Sequence, residues 1–369
     1  MAQADLHIVT FAVPYPPHYG GAIDVWNRIL AIRDSGVSIR LHCFVYGVFD
    51  PQPILKEVAA EVHYYPRVVW PALMSKGQPY IVASRKSPAL LQKLTEDKKP
   101  ILFEGIHTTA FVPVLSGRKM LLRAHNIEHQ YYDELAKHGK GVKSLIYQRE
   151  ALCLKDYEKG IVRSFDMVFP ISPTDADWYA GQGVQTRLLP PFHGLDEVGI
   201  EPGRGKYILY QGDLSLGINQ EAIIDMLQRI PANSPYAVVV AGRSGNKAFE
   251  EKLARFPNLQ REPDVSHEKM IDLIRQAQVI LIHSLHGSGM KLKIFPALYH
   301  GRFIAATENC RTNTSIDGTI HYYTPDQTEQ IIHTLWPQEF SNSHIMERKE
   351  VLKQQPGDLE KAREILNYL

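Results

Sequence analysis

Glycine and histidine residues stand directly after several short apolar runs of this chain. Gly20 and Gly21 separate an apolar run from a helical pattern, and a glycine-rich helix start offers backbone N–H groups to an anion. His107 follows the apolar run 101–104, and His125 with Asn126 follows the run 120–124. Imidazole and amide groups at such places can hydrogen-bond a hydroxyl group of a ligand. These five residues are therefore candidates for a ligand site.

The second half of the chain repeats this arrangement. Gly212 follows the apolar run 207–210, and Arg243 follows the run 237–241. A glycine-rich stretch at 287–289 precedes a helical stretch at 290–299, which makes it a candidate seat for an anion. Since Pro296 would break a hydrogen bond inside that helix, a turn over 290–295 with a helix that begins near Pro296 is the alternative. Lys291 or Lys293 could add a full positive charge there, but two residues this close cannot both point the same way on a helix, so one of them is interpreted as a solvated helix lysine.

Each candidate also has a structural interpretation. The chain contains 16 histidines, so most of them must be structural or solvated. An arginine in an exposed loop, such as Arg243, is usually solvated, and Asp213 is interpreted as a turn cap. Glu128 and His129 are interpreted as the start of a helix, where a carboxylate suits the helix dipole.

Composition excludes several classes of protein. Apolar residues make up 44% and charged residues 22% of 369 residues, which is typical of a globular protein and excludes a disordered chain. Lys and Arg total 41 against 40 for Asp and Glu, so the net charge of +1 argues against a nucleic-acid partner. Cys43, Cys153 and Cys310 are far apart, which favours reduced thiols in the cytoplasm over disulfides or a zinc site.

The candidates require a fold that places strand ends together. An apolar strand, a glycine loop, a helix and a second strand follow one another within the first fifty residues, which indicates a parallel α/β sheet. The alternation stops in the Pro- and Gly-rich segment 189–205 and then starts again. We predict a domain over 1–190, a second domain over 205–345 and a helical tail over 346–369. In open parallel sheets, ligands bind outside the carboxyl ends of the strands, where the candidates lie.

Four segments in sequence order resemble the family-four glycosyltransferases. They are Gly20-Gly21 opening the first helix, the sequence RAHNIEH at 123–129, the sequence YQG at 210–212 with Asn219, and the stretch 287–302. The resemblance covers nearly the whole chain. It implies the GT-B fold, which consists of two Rossmann-like, doubly wound parallel-sheet domains that face each other across a cleft.

The resemblance also implies a function and roles for the candidates. The chain would be a metal-independent, retaining transferase without a cofactor, moving a sugar from a nucleotide-diphosphate sugar to a glycan or lipid-linked acceptor. The 1–190 domain would hold the acceptor, the 205–345 domain the donor, and the tail would pack on the first domain. The catalytic residues would be His107, His125 and Asn126. The substrate- and donor-binding residues would be Gly20, Gly21, Gly212, Arg243, Gly287, Ser288, Gly289 and Lys291.

This sequence departs from the family pattern at the donor site. Ser288 and Pro296 stand where the family commonly carries two acidic residues, and the stretch 212–217 lacks the usual cations. A non-catalytic relative that acts as a binding or scaffold protein therefore remains an alternative. A nucleotide-sugar epimerase is a further alternative, for which Glu104 and Glu128 are the nearby carboxylates.

The sequence also bears on location. The first residues lack the pattern of a signal peptide, and no apolar stretch is long enough to span a membrane, which predicts a cytoplasmic protein. The basic residues Lys137, Lys140 and Lys143 could contact anionic lipid headgroups at the inner membrane face, although the sequence favours a solvated mixed-charge segment.

Overall fold

A computed structural model describes residues 5–47, 49–69, 77–139, 141–285 and 290–369. The chain divides into two compact units. The first unit contains residues 1–194 and 356–369, and the second contains residues 195–355. The predicted linker at 189–205 includes the boundary between them. Residues 346–355, which were grouped with the tail in the sequence prediction, lie in the second unit.

The first unit contains a six-stranded parallel sheet with the strand order β3-β2-β1-β4-β5-β6. Its strands are β1 (Leu6–Thr10), β2 (Ile39–Val45), β3 (Glu61–Pro66), β4 (Ile101–Glu104), β5 (Met120–Ala124) and β6 (Met167–Pro170). Strands β1, β4, β5 and β6 are buried at every residue, because helices cover both faces of the sheet. The helices are α1 (Gly20–Asp34), α2 (Leu55–Val58), α3 (Tyr80–Ala83), α4 (Pro88–Thr95), α5 (Glu128–His138), α6 (Val142–Ile161) and α7 (Pro173–Gly181).

The second unit also contains a six-stranded parallel sheet, with the order β12-β11-β10-β7-β8-β9. Its strands are β7 (Tyr207–Gln211), β8 (Val238–Gly242), β9 (Leu259–Pro263), β10 (Ala277–Ile282), β11 (Phe303–Thr307) and β12 (His321–Tyr323). Its helices are α8 (Gly217–Gln228), α9 (Lys247–Leu253), α10 (His267–Gln276), α11 (Ile294–His300), α12 (Thr328–Leu335) and α13 (Asn342–Lys353). No helix in the described ranges is long and apolar enough to cross a membrane.

The strand order locates the point in each sheet where a ligand can bind. The order reverses between β1 and β4 in the first sheet and between β7 and β10 in the second. At such a switch point, the loops that leave the two neighbouring strands turn to opposite faces and open a crevice at the carboxyl edge. Phe11 and Gly105 directly follow β1 and β4, and Gly212 directly follows β7.

The last helix, α14 (Asp358–Leu366), packs on α1 in the first unit. Ala362 and Ile365 are fully buried in the core that α1 and the first sheet share. Lys361 is 1% exposed, and its ammonium donates to the Pro191 carbonyl and to Asp358, both at 2.6 Å. The tail is therefore held by apolar packing and by a buried ion pair.

Candidate functional site

Two histidines flank an aromatic ring at the switch point of the first sheet. The Phe11 ring lies 5.4 Å from the ring of His107 and 5.4 Å from the ring of His125, centroid to centroid. His107 lies in a 3-10 helix, Ile106–Thr108, that begins directly after Gly105. Gly105 has a φ of +68°, and a Cβ atom there would lie 3.0 Å from His107 Nδ1, so a side chain would displace the imidazole.

Carboxylates hold His125. Its Nε2 lies 3.1 Å from Glu104 Oε2, and its Nδ1 lies 3.6 Å from Asp24 Oδ2. The same carboxylates bind arginines. Arg28 donates to Glu104 at 2.9 Å and to Asp24 at 2.7 Å, and Arg123 donates to Asp24 at 2.9 and 3.1 Å. The two carboxylates and the two arginines are 0–1% exposed, so they form a buried ionic network.

The network keeps both of its carboxylates ionised. Burial alone would raise the pKa of Asp24, but Arg123 and Arg28 outweigh burial and hold that pKa well below its usual range. The pKa of Glu104 is also lowered, because the charge of Arg28 and the hydrogen bond from His125 outweigh its burial. Glu104 is therefore a structural anion with occupied oxygens, and it does not have the free acid/base role that an epimerase requires.

His107 has a different environment. Its side chain is 19% exposed, whereas its Nδ1 atom is buried, has no hydrogen-bond partner in the described part of the chain and lies 4.0 Å from Glu128 Oε1. Burial lowers the pKa of His107 well below 6.5, and the charge of Arg85 lowers it further. His107 is therefore neutral near pH 7, with one ring nitrogen that donates and one that accepts a hydrogen bond.

Glu128 is a neutral carboxylic acid over most of the neutral pH range. Its burial, followed by the neighbouring charge of Glu158, raises its pKa to about 8, although a hydrogen bond with the Asn126 side chain opposes the shift. Glu158 is the residue that caps α5, since its carboxylate accepts from the backbone N–H groups of Glu128 and His129 at 3.0 and 3.2 Å. The predicted helix start at Glu128 is confirmed, but Glu158 rather than Glu128 supplies the charge at the helix dipole.

The predicted glycine pair lies at the start of α1. The helix begins at Gly20, and no side chain caps it. A Cβ atom on Gly21 would lie 3.1 Å from both Phe11 Cζ and Tyr19 Cε2. Gly21 is therefore the residue that lets the helix approach Phe11, the ring between the two histidines. A ligand role for Gly20 and Gly21 stays a prediction.

Two loops meet closely at the carboxyl edge of the second sheet. Gly242, with a φ of +121°, lies so near Gly212 that a Cβ atom would meet the Gly212 carbonyl oxygen at 2.3 Å. Only glycine fits that position. Arg243 follows directly, and its side chain is exposed. Gly212 and Arg243 are therefore brought to adjacent strand ends, as expected, and their donor-binding roles stay predictions.

The predicted helix does not begin at 290 but close to the alternative start near Pro296. Helix α11 begins at Ile294, so Pro296 lies in its first turn, where its missing N–H costs no helical hydrogen bond. Lys291 precedes the helix, and burial lowers its pKa. Lys293 is not a solvated helix lysine. Its ammonium donates to the Gln211 carbonyl at 3.2 Å, lies 4.7 Å from the Tyr210 ring, and burial lowers its pKa to about 8.

Three of the predicted residues, Gly287, Ser288 and Gly289, lie outside the described residues. Among the residues described, no three His, Cys, Asp or Glu side chains are grouped so that they could hold a metal ion. One surface concavity, lined by Arg118, Lys119 and Asp166 among others, lies at the amino ends of β5 and β6. It is at the edge of the sheet opposite to the candidate residues, so we do not assign the ligand site to it.

The structure thus brings His107, His125 and Asn126 to one edge of the first unit. Nothing in the sequence pattern indicated Phe11, although its place directly after β1 at the switch point is the signal that would have identified it. Arg67 and Arg85 were also not predicted as site residues. Both guanidinium groups lie over the Tyr46 ring, and Arg67 also lies over the Tyr80 ring, and these contacts join residues that are distant in sequence.

No protein-family profile matches the chain. A curated relative, an uncharacterised 44.6 kDa protein in the cps region of Klebsiella pneumoniae, is 24% identical over 328 residues, which is 83% of each chain. Solved structures match almost end to end. Sucrose-phosphate synthase from Thermosynechococcus elongatus has a TM-score of 0.73 at 13% identity, covering 99% of this chain and 98% of that one.

Two further structures give the same result. HepE from Anabaena, in complex with UDP and glucose, has a TM-score of 0.65 at 11% identity, with 99% of each chain covered. Trehalose-6-phosphate synthase OtsA has a TM-score of 0.64 at 11% identity, with 99% of this chain and 98% of that one covered. This chain has the GT-B fold. The predicted fold class, two Rossmann-like doubly wound parallel sheets, is confirmed, and so is the resemblance to GT-B glycosyltransferases at the level of fold.

Proposed function

We propose that this GT-B chain is a glycosyltransferase that moves a sugar from a nucleotide-diphosphate sugar to a glycan or lipid-linked acceptor, with retention of anomeric configuration and without a metal. The observation that carries the proposal is the fold match over 98–99% of both chains to two sugar-phosphate synthases and to a protein solved with UDP and glucose. The candidates at the carboxyl edges of both sheets support it, since that is where ligands bind in such sheets.

The proposed reaction needs no protein nucleophile. The bond between the sugar C1 and the diphosphate breaks, the acceptor oxygen bonds to C1 on the same face, and the acceptor proton passes to the leaving diphosphate. The protein contributes orientation and stabilisation of the developing charge. His107, neutral and partly exposed at the switch point, is suited to hydrogen-bond a hydroxyl group of the transferred sugar.

The donor is proposed to bind at the second unit through the backbone at 287–289 and at least one cation. Even a helix terminus contributes only about 0.3–1 kcal/mol towards an exposed anion, and α11 begins only at Ile294. A hydrogen bond to a charged group adds about 1.5–3 kcal/mol, so useful affinity for a diphosphate requires Lys291 or Arg243.

Nucleotide titration by calorimetry tests the proposal. UDP, GDP and ADP are titrated into the protein and into the variants Lys291→Ala and Arg243→Ala. Lys206→Ala is the matched control, because Lys206 is exposed and precedes β7, at the opposite edge of the sheet. We expect one nucleotide to bind and at least one of the two variants to weaken it several-fold. Nucleotide binding that neither variant weakens would refute the proposed role of Lys291 or Arg243 in holding the diphosphate. If none of the three nucleotides binds, the transferase proposal fails and the non-catalytic alternative replaces it.

A lipid-linked acceptor would place the protein at the inner membrane face. The outer face of α6 carries four exposed apolar side chains, Val142, Leu145, Ile146 and Leu152, which are 55–73% exposed. Exposed cations at 143, 149 and 155 accompany them, against one exposed acid at 156. Apolar side chains bordered by cations suit an anionic bilayer, which offers hydrocarbon beneath a negative surface. We therefore propose peripheral contact through this face of α6.

Liposome flotation tests this contact. The protein should float with vesicles that contain phosphatidylglycerol and remain below with pure phosphatidylcholine vesicles. The double variant Leu145→Ser/Ile146→Ser should lose most of the flotation, whereas Val114→Ser, at an equally exposed valine outside α6, should retain it. Equal flotation of both variants would show that α6 is not the contact face.

A further inference from the structure

Two arginines at the carboxyl edge of the first sheet lie outside the ionic network. Arg67 directly follows the last residue of β3, and Arg85 lies just after α3. Among the described residues, no carboxylate lies within salt-bridge distance of either guanidinium. Arg28 and Arg123, by contrast, each contact a buried carboxylate.

The Arg67 guanidinium is held in a fixed position. Its Cζ atom lies 4.7 Å from the Tyr46 ring centroid and 4.9 Å from the Tyr80 ring centroid. Its Nε donates to Ser84 Oγ at 2.9 Å. Its two Nη groups make no hydrogen bond to any described residue, and the side chain is only half-buried. Arg67 is therefore a preorganised fork whose outer donors are available to a ligand.

Arg85 adds a second positive charge that no described carboxylate neutralises. It is 3% exposed and, among the described residues, donates to uncharged acceptors alone, namely the carbonyls of Phe11 and Ile81 at 2.9 and 2.7 Å and the Tyr46 hydroxyl at 3.3 Å. The charge of Arg67 acts on Glu150 and opposes the rise that burial causes in the pKa of that carboxyl. Glu150 is not within salt-bridge distance of either arginine, and both of its oxygens accept from backbone N–H groups at the start of α3.

The pair lies beside the candidate catalytic histidine. The Phe11 carbonyl binds Arg85, and the Phe11 ring packs against His107. After burial, the charges of Arg85 and Arg67 are among the causes that lower the pKa of His107. An anion held by Arg67 would therefore lie in the same crevice as His107.

We propose that Arg67, assisted by the field of Arg85, binds an oxyanion on the acceptor substrate, either a phosphate or a carboxylate group. The donors left on Arg67 match two oxygens of such a group, and a bidentate pair fixes its orientation as well as its position. The identity of the ligand as an acceptor rests on the proposed function, because the nucleotide is assigned to the second unit. An acidic acceptor, such as a sugar phosphate or a uronic acid, is the class of substrate that follows.

Binding of small acidic sugars tests this site. Glucose 1-phosphate, glucuronate and neutral glucose are titrated into the protein at low ionic strength, and binding is followed by calorimetry. We expect one or both acidic sugars to bind more tightly than glucose. Arg67→Gln should weaken the acidic sugar at least tenfold, and Arg67→Lys should weaken it less, because lysine keeps the charge but not the fork. Arg33→Gln is the control, since Arg33 is exposed in the last turn of α1, at the opposite edge of the sheet.

The outcomes separate this inference from the proposed function. Preference for glucose 1-phosphate identifies a phosphate, and preference for glucuronate identifies a carboxylate. The inference is overturned if neither acidic sugar binds more tightly than glucose. It is also overturned if Arg67→Gln and Arg67→Lys, shown to be folded by circular dichroism, bind the acidic sugar as tightly as the unaltered protein does. Nucleotide binding should not change in Arg67→Gln. Loss of all nucleotide binding, with Arg67-dependent binding retained, would instead refute the transferase proposal and leave the anion site in place.

Discussion

Neutralising Glu128 should make stability less sensitive to pH. The native pKa of Glu128 is about 8, whereas the ordinary value is 4.5, so the native state binds more protons than the unfolded state between these two values. The contribution of Glu128 to the free energy of unfolding is therefore fully present below pH 4.5 and is lost as pH rises towards 8. The loss is about 1.4 kcal/mol for each pH unit, or roughly 5 kcal/mol across the window. The variant Glu128→Gln keeps the shape of the neutral acid and cannot ionise.

Urea unfolding of both proteins from about pH 5 to pH 8.5 measures this effect. The variant should equal the unaltered protein at the acidic end and exceed it by several kcal/mol at the basic end. The charged and titratable groups that face Glu128 are Arg85, His107, Glu158, Asp175, Tyr131, Tyr132 and Tyr179. They are present in both proteins, so the difference isolates Glu128. Glu134→Gln, at a more exposed residue of the same helix, is the control and should show no such trend. A difference independent of pH would refute the assignment of a neutral carboxyl.

Three further perturbations test the first unit. Asp24→Asn should lower the free energy of unfolding by about 3–5 kcal/mol, because it leaves two buried arginines facing one carboxylate. The control Asp34→Asn, in an exposed pair on the same helix, should change that free energy by less than about 1 kcal/mol. Equal urea midpoints for Asp24→Asn and the unaltered protein would contradict the network. Burial lowers the pKa of His7 to about 4, so stability should fall as pH drops from 6.5 to 4, and His7→Gln should flatten that fall in urea titrations at several pH values. Lys361→Met should remove the ion pair with Asp358 and increase amide hydrogen exchange in α14 but not in α13; unchanged exchange would refute a stabilising role for that pair.

The sequence predicted the central strands because burial on both faces leaves an uninterrupted apolar run. Strand β5 has the bounds of the apolar run 120–124, and α1 begins at Gly20, the first of the two glycines that open the predicted helix. The edge strands β3 and β9 were not predicted. They are only partly buried, so polar residues interrupt their apolar pattern, and the hydrogen bonds from neighbouring strands decide their conformation.

The charged residues of the candidate site could not be interpreted from their neighbours in sequence. Glu128 stands where a helix-capping acid is expected, yet Glu158, thirty residues later, takes that role and raises the pKa of Glu128. In the sequence, Arg67 has the neighbours of an ordinary surface arginine, whereas in the structure its guanidinium lies over the rings of Tyr46 and Tyr80. The sequence allows Lys293 to be solvated, whereas in the structure it directly precedes α11 and its ammonium donates to the Gln211 carbonyl.

The two histidines beside Phe11 are chemically unlike, although the sequence placed both in one catalytic group. Both ring nitrogens of His125 face carboxylates, at 3.1 and 3.6 Å, so its hydrogen-bonding groups are committed to the buried network. The buried nitrogen of His107 has no hydrogen-bond partner among the described residues and lies 4.0 Å from the neutral acid Glu128, and its ring is partly exposed. We therefore infer that His107 contacts the substrate, whereas His125 fixes the Phe11 ring that positions it.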